Sequence, residues 1–434
     1  MPPQLRKIVI VNTADEGGGA ELVSMRVLNG FLELGLDAWL LVGNKTGSHP
    51  KVISFYTSPF FDYRPYVKSL LAKVIEGWRS LDQFLGLEDF NHPYSHHIRE
   101  MTGSPPDLLL CHNLHGGYFD LRVLSGLSGR MPVALRLFDT WLQAGHCAYS
   151  LGCNRWQSGC GECPDLTIPP AISRDASQRN LLRKQRIFLE SRLFVSAESQ
   201  WMLDRAKRSV LAPAVLDWKY LPGGVDLEIF FPGSREDARL QLNIDPDAKV
   251  LLFVANQGSA NPYKDFDTVR RALDELHRLK SARKIILLVA GSNGPDQDIG
   301  PHILIRHVGP LASQPRLAAF YRAADIMVHS AIEEAFGNVV AEALACGTPV
   351  VAASGGGVLE LIDHGGTGLI VPPRQPAQLA QAISQLLDAP ALRAEMGIAA
   401  AAAARRHLDC RVMIRNLQSW CTEVHSAWHA RAAS

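Results

Sequence analysis

At 434 residues the chain has room for roughly two to three domains, and 47% hydrophobic with 20% charged content is ordinary for a globular protein with sizeable cores. Lys and Arg number 44 against 43 Asp and Glu, so no overall charge selects a membrane, and nucleic acid is not an expected partner. The apolar run Ile8 to Val11 is too short for a signal-peptide core, and no later run approaches the ~18 apolar residues of a membrane span. The expectation is a cytoplasmic protein with reduced thiols at its eight cysteines.

The first half reads as strands KIVIVN (7–12), AWLLVG (38–43), DLLLCHN (107–113), PVALRLFD (132–139) and RLFVSA (192–197), with AELVSMRVLNGFLELG helical between the first two. These are continuous apolar runs rather than alternating ones, as in parallel sheets covered on both faces. After the first strand come Gly17, Gly18 and Gly19, with a helix expected from about Ala20. Such a run suits a backbone that approaches a ligand closely, or a tight turn with no ligand. It is not a dinucleotide fingerprint, because Leu22 stands where the last glycine belongs.

Residues 63–79 place Tyr63, Tyr66, Val67, Leu70, Leu71, Val74, Ile75 and Trp78 at helical spacing, with Lys68, Lys73 and Arg79 off the stripe. Such a helix either packs on the domain core or lies on an anionic membrane. His112, Asn113 and His115 follow the third strand, with Gly116 and Gly117 expected to open the next element, and Asp139 ends the fourth strand. Two histidines with an Asn at a strand end mark a ligand-facing edge, although one histidine there is readily structural. Cys147, Cys153, Cys160 and Cys163 form C-x5-C-x6-C-x2-C within a glycine-rich insertion at 146–164. Four thiolates are a complete tetrahedral shell for a structural zinc, with His146 available as a substitute ligand; reduced thiols and disulfides are the other readings. The segment 171–210 carries nine Lys or Arg against four Asp or Glu, a solvated face or a surface for lipid phosphates.

The Pro- and Gly-rich stretch YLPGGVDLEIFFPGSREDARLQL reads as a hinge. Beyond it come strands VLLFVAN (250–256), KIILLVAG (284–291), HILIRHVG (302–309), DIMVHSA (325–331), PVVAAS (349–354) and TGLIVP (367–372), then a helical tail. The fold class is therefore α/β, with two doubly wound Rossmann-like domains facing a cleft, at 1–222 and 223–408, and a helix at 409–434 packing back on the first.

Between DIMVHSA and the helical NVVAEALACG lies IEEAFG, a loop at the carboxyl end of a strand, where open α/β sheets bind ligands. A helix starting near Gly337 would aim the amides around Gly337, Asn338 and Val339 at a phosphate. Glu334 before that helix suits sugar hydroxyls, Glu342 within it suits a ribose diol, and Lys264 in NPYK supplies a cation for the phosphate. The plainer reading is two solvated acids at a helix start.

Taken together, GGGAE (17–21), CHNLHGGYFDL (111–121), the cysteine segment 138–164, LPGGVD (221–226), NPYK (261–264) and EEAFGNVVAEALACGTPVVA (333–352) resemble the retaining GT-B glycosyltransferases of family 4. Within that family the likeness is to the bacterial exopolysaccharide and O-antigen type that includes colanic acid glycosyltransferases. The resemblance implies transfer of a sugar from a nucleotide diphosphate donor, with retention, to a saccharide or lipid-linked acceptor, at the inner face of a membrane in the lipid-linked case, and without a catalytic metal. It implies that Glu334 meets the donor sugar, Glu342 the ribose and Lys264 the diphosphate, with Phe336 to Val339 and Gly18 and Gly19 around the donor. His115 and Asp139 complete the expected catalytic set. Two departures are clear: Phe138 precedes Asp139 where the family commonly has His, and the Arg that often accompanies the lysine is missing. A sugar-nucleotide epimerase of the same architecture and a non-catalytic nucleotide-binding homologue are the rivals.

Overall fold

The computed structural model describes residues 4–57, 70–279, 283–311 and 313–432. It divides into two compact units, Met1–Leu221 with Ile414–Ser434, and Pro222–Met413.

The first unit is built on a seven-stranded sheet of order β3-β2-β1-β4-β5-β6-β7. Its strands are β1 (Lys7–Ala14), β2 (Asp37–Asn44), β3 (Val52–Ser54), β4 (Leu108–Cys111), β5 (Val133–Leu137), β6 (Leu193–Ala197) and β7 (Val215–Tyr220). All the neighbouring pairs run parallel. Ile8 to Val11 are wholly buried, as a central strand covered on both faces requires. The covering helices are α1 (Gly19–Glu33), α2 (Leu70–Phe84), α3 (Val123–Ser128), α4 (Ser177–Leu189) and α5 (Gln200–Lys207). Of the sequence-expected amphipathic stripe, Tyr63, Tyr66, Val67 and Lys68 lie outside the described residues, as do the side chains at 70–75. Trp78, on α2, is exposed.

The second unit repeats the plan in the order β10-β11-β9-β8-β12-β13-β14. The strands are β8 (Lys249–Val254), β9 (Ile285–Ala290), β10 (Gln297–Ile299), β11 (Ile303–His307), β12 (Ile326–His329), β13 (Val350–Ala353) and β14 (Gly368–Val371). Only β10, at one edge, is antiparallel. Alternate residues of β8 enter opposite cores: Val250, Leu252 and Val254 on one face, Leu251 and Phe253 on the other. The helices are α6 (Arg235–Gln241), α7 (Phe266–Arg278), α8 (Gln314–Ala323), α9 (Asn338–Ala345), α10 (Pro376–Asp388), α11 (Pro390–His407) and α12 (Cys410–Ala432). Within α12, the residues from Ile414 onward belong to the first unit.

Each of the eleven sequence-expected strands is present. Three others, β3, β7 and β10, gave no signal because they are short or lie at sheet edges, where burial does not enforce an apolar run. Gly116 and Gly117, expected to open the next element, lie in a loop at positive φ, and α3 starts only at Val123.

Candidate functional site

In the second unit the site is assembled at the carboxyl ends of β8 and β12. Gly337 caps α9 at φ +98°, a conformation that side chains resist, and a Cβ there would stand 2.9 Å from Val358 Cγ2. The helix closes on Gly347 at φ +74°, whose N–H donates to the Leu344 carbonyl at 3.0 Å while Thr348 N–H donates to that of Ala343 at 2.9 Å. That double bond is a Schellman stop. At the start, the amides of Asn338 and Val339 have no intrahelical acceptor. Beside them, the Asn338 Oδ1 is buried without a hydrogen-bond partner among the described residues. Donors and dipole together make this end of α9 attractive to an anion.

Glu334 is held on the loop before α9 by its carbonyl, which accepts from Gly357 N–H at 2.7 Å. Its carboxylate pairs with Lys264 Nζ. Lys264 is positioned from behind by Ser330, whose Oγ donates to the Lys264 carbonyl at 2.6 Å. His329, at the end of β12, lies under this pair with Nε2 3.8 Å from Glu334 Oε2. Burial first, and the Lys264 charge second, hold His329 well below the ordinary imidazole range, so it is neutral. The Lys264 charge is thus answered by Glu334 alone in this cluster.

Glu342 is buried one turn into α9, and its Oε2 accepts from Tyr321 Oη at 2.9 Å. Burial, then the Glu342 charge, push the Tyr321 phenol well above its usual pKa, so it stays a donor. The Phe336 ring is in the core, where a Cβ on Gly223 would meet it at 2.6 Å. Phe336 therefore presents only its backbone to a ligand. Sequence reasoning missed His329, Ser330 and Tyr321. The first two end a strand that it had read correctly, and that position was the available signal.

In the first unit a second cluster sits beyond β1, β4 and β5. His115 Nε2 lies 2.7 Å from Asp139 Oδ2, and Asp139 Oδ1 accepts from Trp141 N–H at 2.8 Å. Gly116, at φ +102°, passes so close to Thr13 that a Cβ would stand 2.8 Å from its Cγ2. Burial is the largest influence on His115 and lowers it, but the Asp139 charge and hydrogen bond outweigh burial and raise it overall. The Gly18 amide is taken by Glu21 Oε2 at 2.9 Å, which caps α1, and Gly19 is its first residue. His112 is not part of this pair: it is buried, with Nδ1 2.7 Å from Ser24 Oγ and its ring edge-on to Phe138. Burial, then Arg136, keep His112 well below the usual range.

The expected four-thiolate zinc shell finds no support among the described residues. Cys147, Cys153, Cys160 and Cys163 are free thiols that line, with His146, one cavity of about 20 Å³. Among the described residues, no three His, Cys, Asp or Glu stand as a metal-binding group. Burial pushes the Cys147 thiol up to about 12 and raises Cys160 and Cys163. Cys163 Sγ lies 3.3 Å from His146 Nε2. The segment is anchored instead by Lys184, fully buried, whose Nζ donates to Glu88 Oε1 at 2.7 Å and to the Trp141 and Ala144 carbonyls at 2.8 Å.

Residues 234–403 match the family model described as Glycosyl transferases group 1. That match lies within the second unit. Among curated relatives, D-inositol 3-phosphate glycosyltransferase 2 of Catenulispora acidiphila is 40% identical over 188 residues, 40% of this chain and 43% of that protein. The matched stretch is therefore less than half of that relative. Among solved structures, sucrose-phosphate synthase from Thermosynechococcus elongatus has a TM-score of 0.68 at 19% identity, covering 97% of this chain and 100% of that one. Anabaena Alr3699/HepE in complex with UDP-glucose has a TM-score of 0.62 at 19% identity, covering 96% and 99%. The chain therefore has the GT-B fold of two Rossmann-like domains. Among the described residues, no helix is long and apolar enough to cross a membrane.

Proposed function

We propose that this protein is a retaining glycosyltransferase of family 4 type, moving a sugar from a nucleotide diphosphate donor to a saccharide acceptor in exopolysaccharide or O-antigen assembly. In its fuller form the acceptor is lipid-linked and the enzyme works in the cytoplasm, at the inner face of the membrane. The observation that carries this reading is the Lys264–Glu334 pair beside the open amides of α9. A diphosphate on those amides takes over Lys264 and releases Glu334 to accept from sugar hydroxyls. Glu342, oriented by Tyr321, accepts from the ribose.

In the transfer step the bond from the anomeric carbon to the diphosphate oxygen breaks, and a bond to the acceptor oxygen forms on the same face. The acceptor proton passes to the leaving diphosphate. Lys264 and the α9 amides stabilise the charge that grows on that group, which is where such contacts accelerate the reaction. With Lys264 paired to Glu334, the reading favours assistance by the leaving group over a covalent intermediate, as the family resemblance implies. The His115–Asp139 pair serves the acceptor on the first unit. Incubation with a panel of nucleotide sugars and saccharide acceptors tests this. Released nucleoside diphosphate with a lengthened acceptor supports it; a changed donor sugar makes the protein an epimerase, and binding without turnover a non-catalytic homologue.

A further inference from the structure

The structure joins two segments that the sequence marks separately. On α4, Ser177, Asn180, Leu181, Lys184, Ile187 and Phe188 are buried. Helical spacing turns Arg179, Leu182, Arg183 and Arg186 to the other face. Those four line, with Arg122 and with Trp78 and Asp82 of α2, an open pocket of about 700 Å³. Four guanidiniums thus face one carboxylate. Arg122 is committed to Asp120 at 2.8 Å, and Arg183 to the Glu88 carbonyl at 2.8 Å and the Phe90 ring. Arg179 and Arg186 have no hydrogen-bond or ion-pair partner among the described residues. Arg122 and Arg179 also repel Arg183, a secondary influence beside its burial.

An ordinary solvated basic face does not carry large apolar side chains in the same patch. Here Trp78, 57% exposed, and Leu182, 45%, line the pocket, while Phe84 at 58%, its ring 3.9 Å under the Arg174 guanidinium, and Leu189 at 63% lie farther along α2 and α4. Unpaired arginines beside protruding Trp, Phe and Leu match one kind of surface, phosphates in front of an acyl boundary. We propose that this pocket docks the protein on an anionic phospholipid bilayer. Arg179 and Arg186 hold headgroup phosphates, and Trp78, Phe84, Leu182 and Leu189 enter the boundary. This deepens the lipid-linked form of the proposed function, on which its biological sense rests.

The test is co-sedimentation of the full chain with phosphatidylcholine vesicles, with and without about 30% phosphatidylglycerol. The protein should sediment with the anionic vesicles only, and about 0.5 M salt should release most of it. Arg179→Gln with Arg186→Gln should lower partitioning roughly tenfold or more. Trp78→Ser with Phe84→Ser should lower it by roughly a similar factor at constant charge. Three results would overturn the proposal: equal binding to neutral vesicles, undiminished binding by both folded variants, or stabilisation by inorganic phosphate without vesicle binding. Nucleoside diphosphate release with a soluble acceptor, measured in parallel, should be unchanged in both variants. A protein that binds these vesicles but turns over no nucleotide sugar would sink the functional reading and leave this one standing.

Discussion

In the second unit, Lys264 meets Glu334 at the start of a helix whose first amides lack intrahelical acceptors; in the first, His115 meets Asp139 in a loop whose backbone is set by glycines. The two pairs stand on the same kind of platform, the carboxyl edge of a parallel sheet, yet they are different electrostatic devices. Lys264 offers an ammonium donor, and helix amides reinforce it, which suits a diphosphate. In the histidine pair the Asp139 charge raises the His115 pKa, and a buried support, Lys184, fixes the Trp141 carbonyl two residues beyond Asp139. One site is built to hold charge, the other to respond to it.

The largest effect should come from removing that support. Lys184→Ala strands Glu88 in the core, and breaking such a buried pair costs about 3–5 kcal/mol. Denaturant unfolding should show that loss. A change below about 1 kcal/mol would mean that Lys184 is not what anchors the first site. In the second unit, Lys264→Ala should slow transfer by roughly 10²–10³-fold, the usual loss on deleting one group that stabilises transition-state charge. A folded variant with wild-type kcat would remove Lys264 from the chemistry.

The sequence exposed these two sites unequally, for a physical reason. Strands buried on both faces advertise themselves as apolar runs, and a strand–loop–helix junction with glycine at the cap is local, so Glu334, Gly337 and Glu342 were legible. Ser330 reaches the Lys264 carbonyl across 66 positions, and Lys184 reaches Glu88 across 96, so neither role leaves a local pattern. The cysteines show the opposite limit. They are close in sequence and share a cavity, but donor geometry decides metal binding, and spacing does not report it.

A smaller effect is expected at Glu342. If it holds the ribose, Glu342→Ala should weaken nucleotide binding by about 1.5–3 kcal/mol, the worth of a hydrogen bond to a charged group. Unchanged calorimetric affinity would leave Glu342 as a structural partner of Tyr321 only. The smallest effect concerns pH. Because the His115 pKa is raised on folding, its pair with Asp139 contributes fully below the unfolded value of about 6.5 and is lost as pH rises through the folded value. In Asp139→Asn, burial is opposed only by the weaker Glu21 charge, so the His115 titration followed by NMR should move downward. An unmoved titration would break the contrast between the two pairs.

The central claim is that Glu334 is reserved for the donor's sugar while Lys264 and the α9 amides hold its diphosphate. Calorimetric titration of Glu334→Gln with a bare nucleoside diphosphate, and then with the matching nucleotide sugar, tests it most directly. The variant keeps the shape of the side chain but removes the charge that pairs with Lys264. Bare nucleotide should bind at least as tightly as it does to the wild type, because Lys264 no longer has to leave a carboxylate, while the added affinity contributed by the sugar should disappear. A variant that loses bare nucleotide and nucleotide sugar to the same degree would contradict this account.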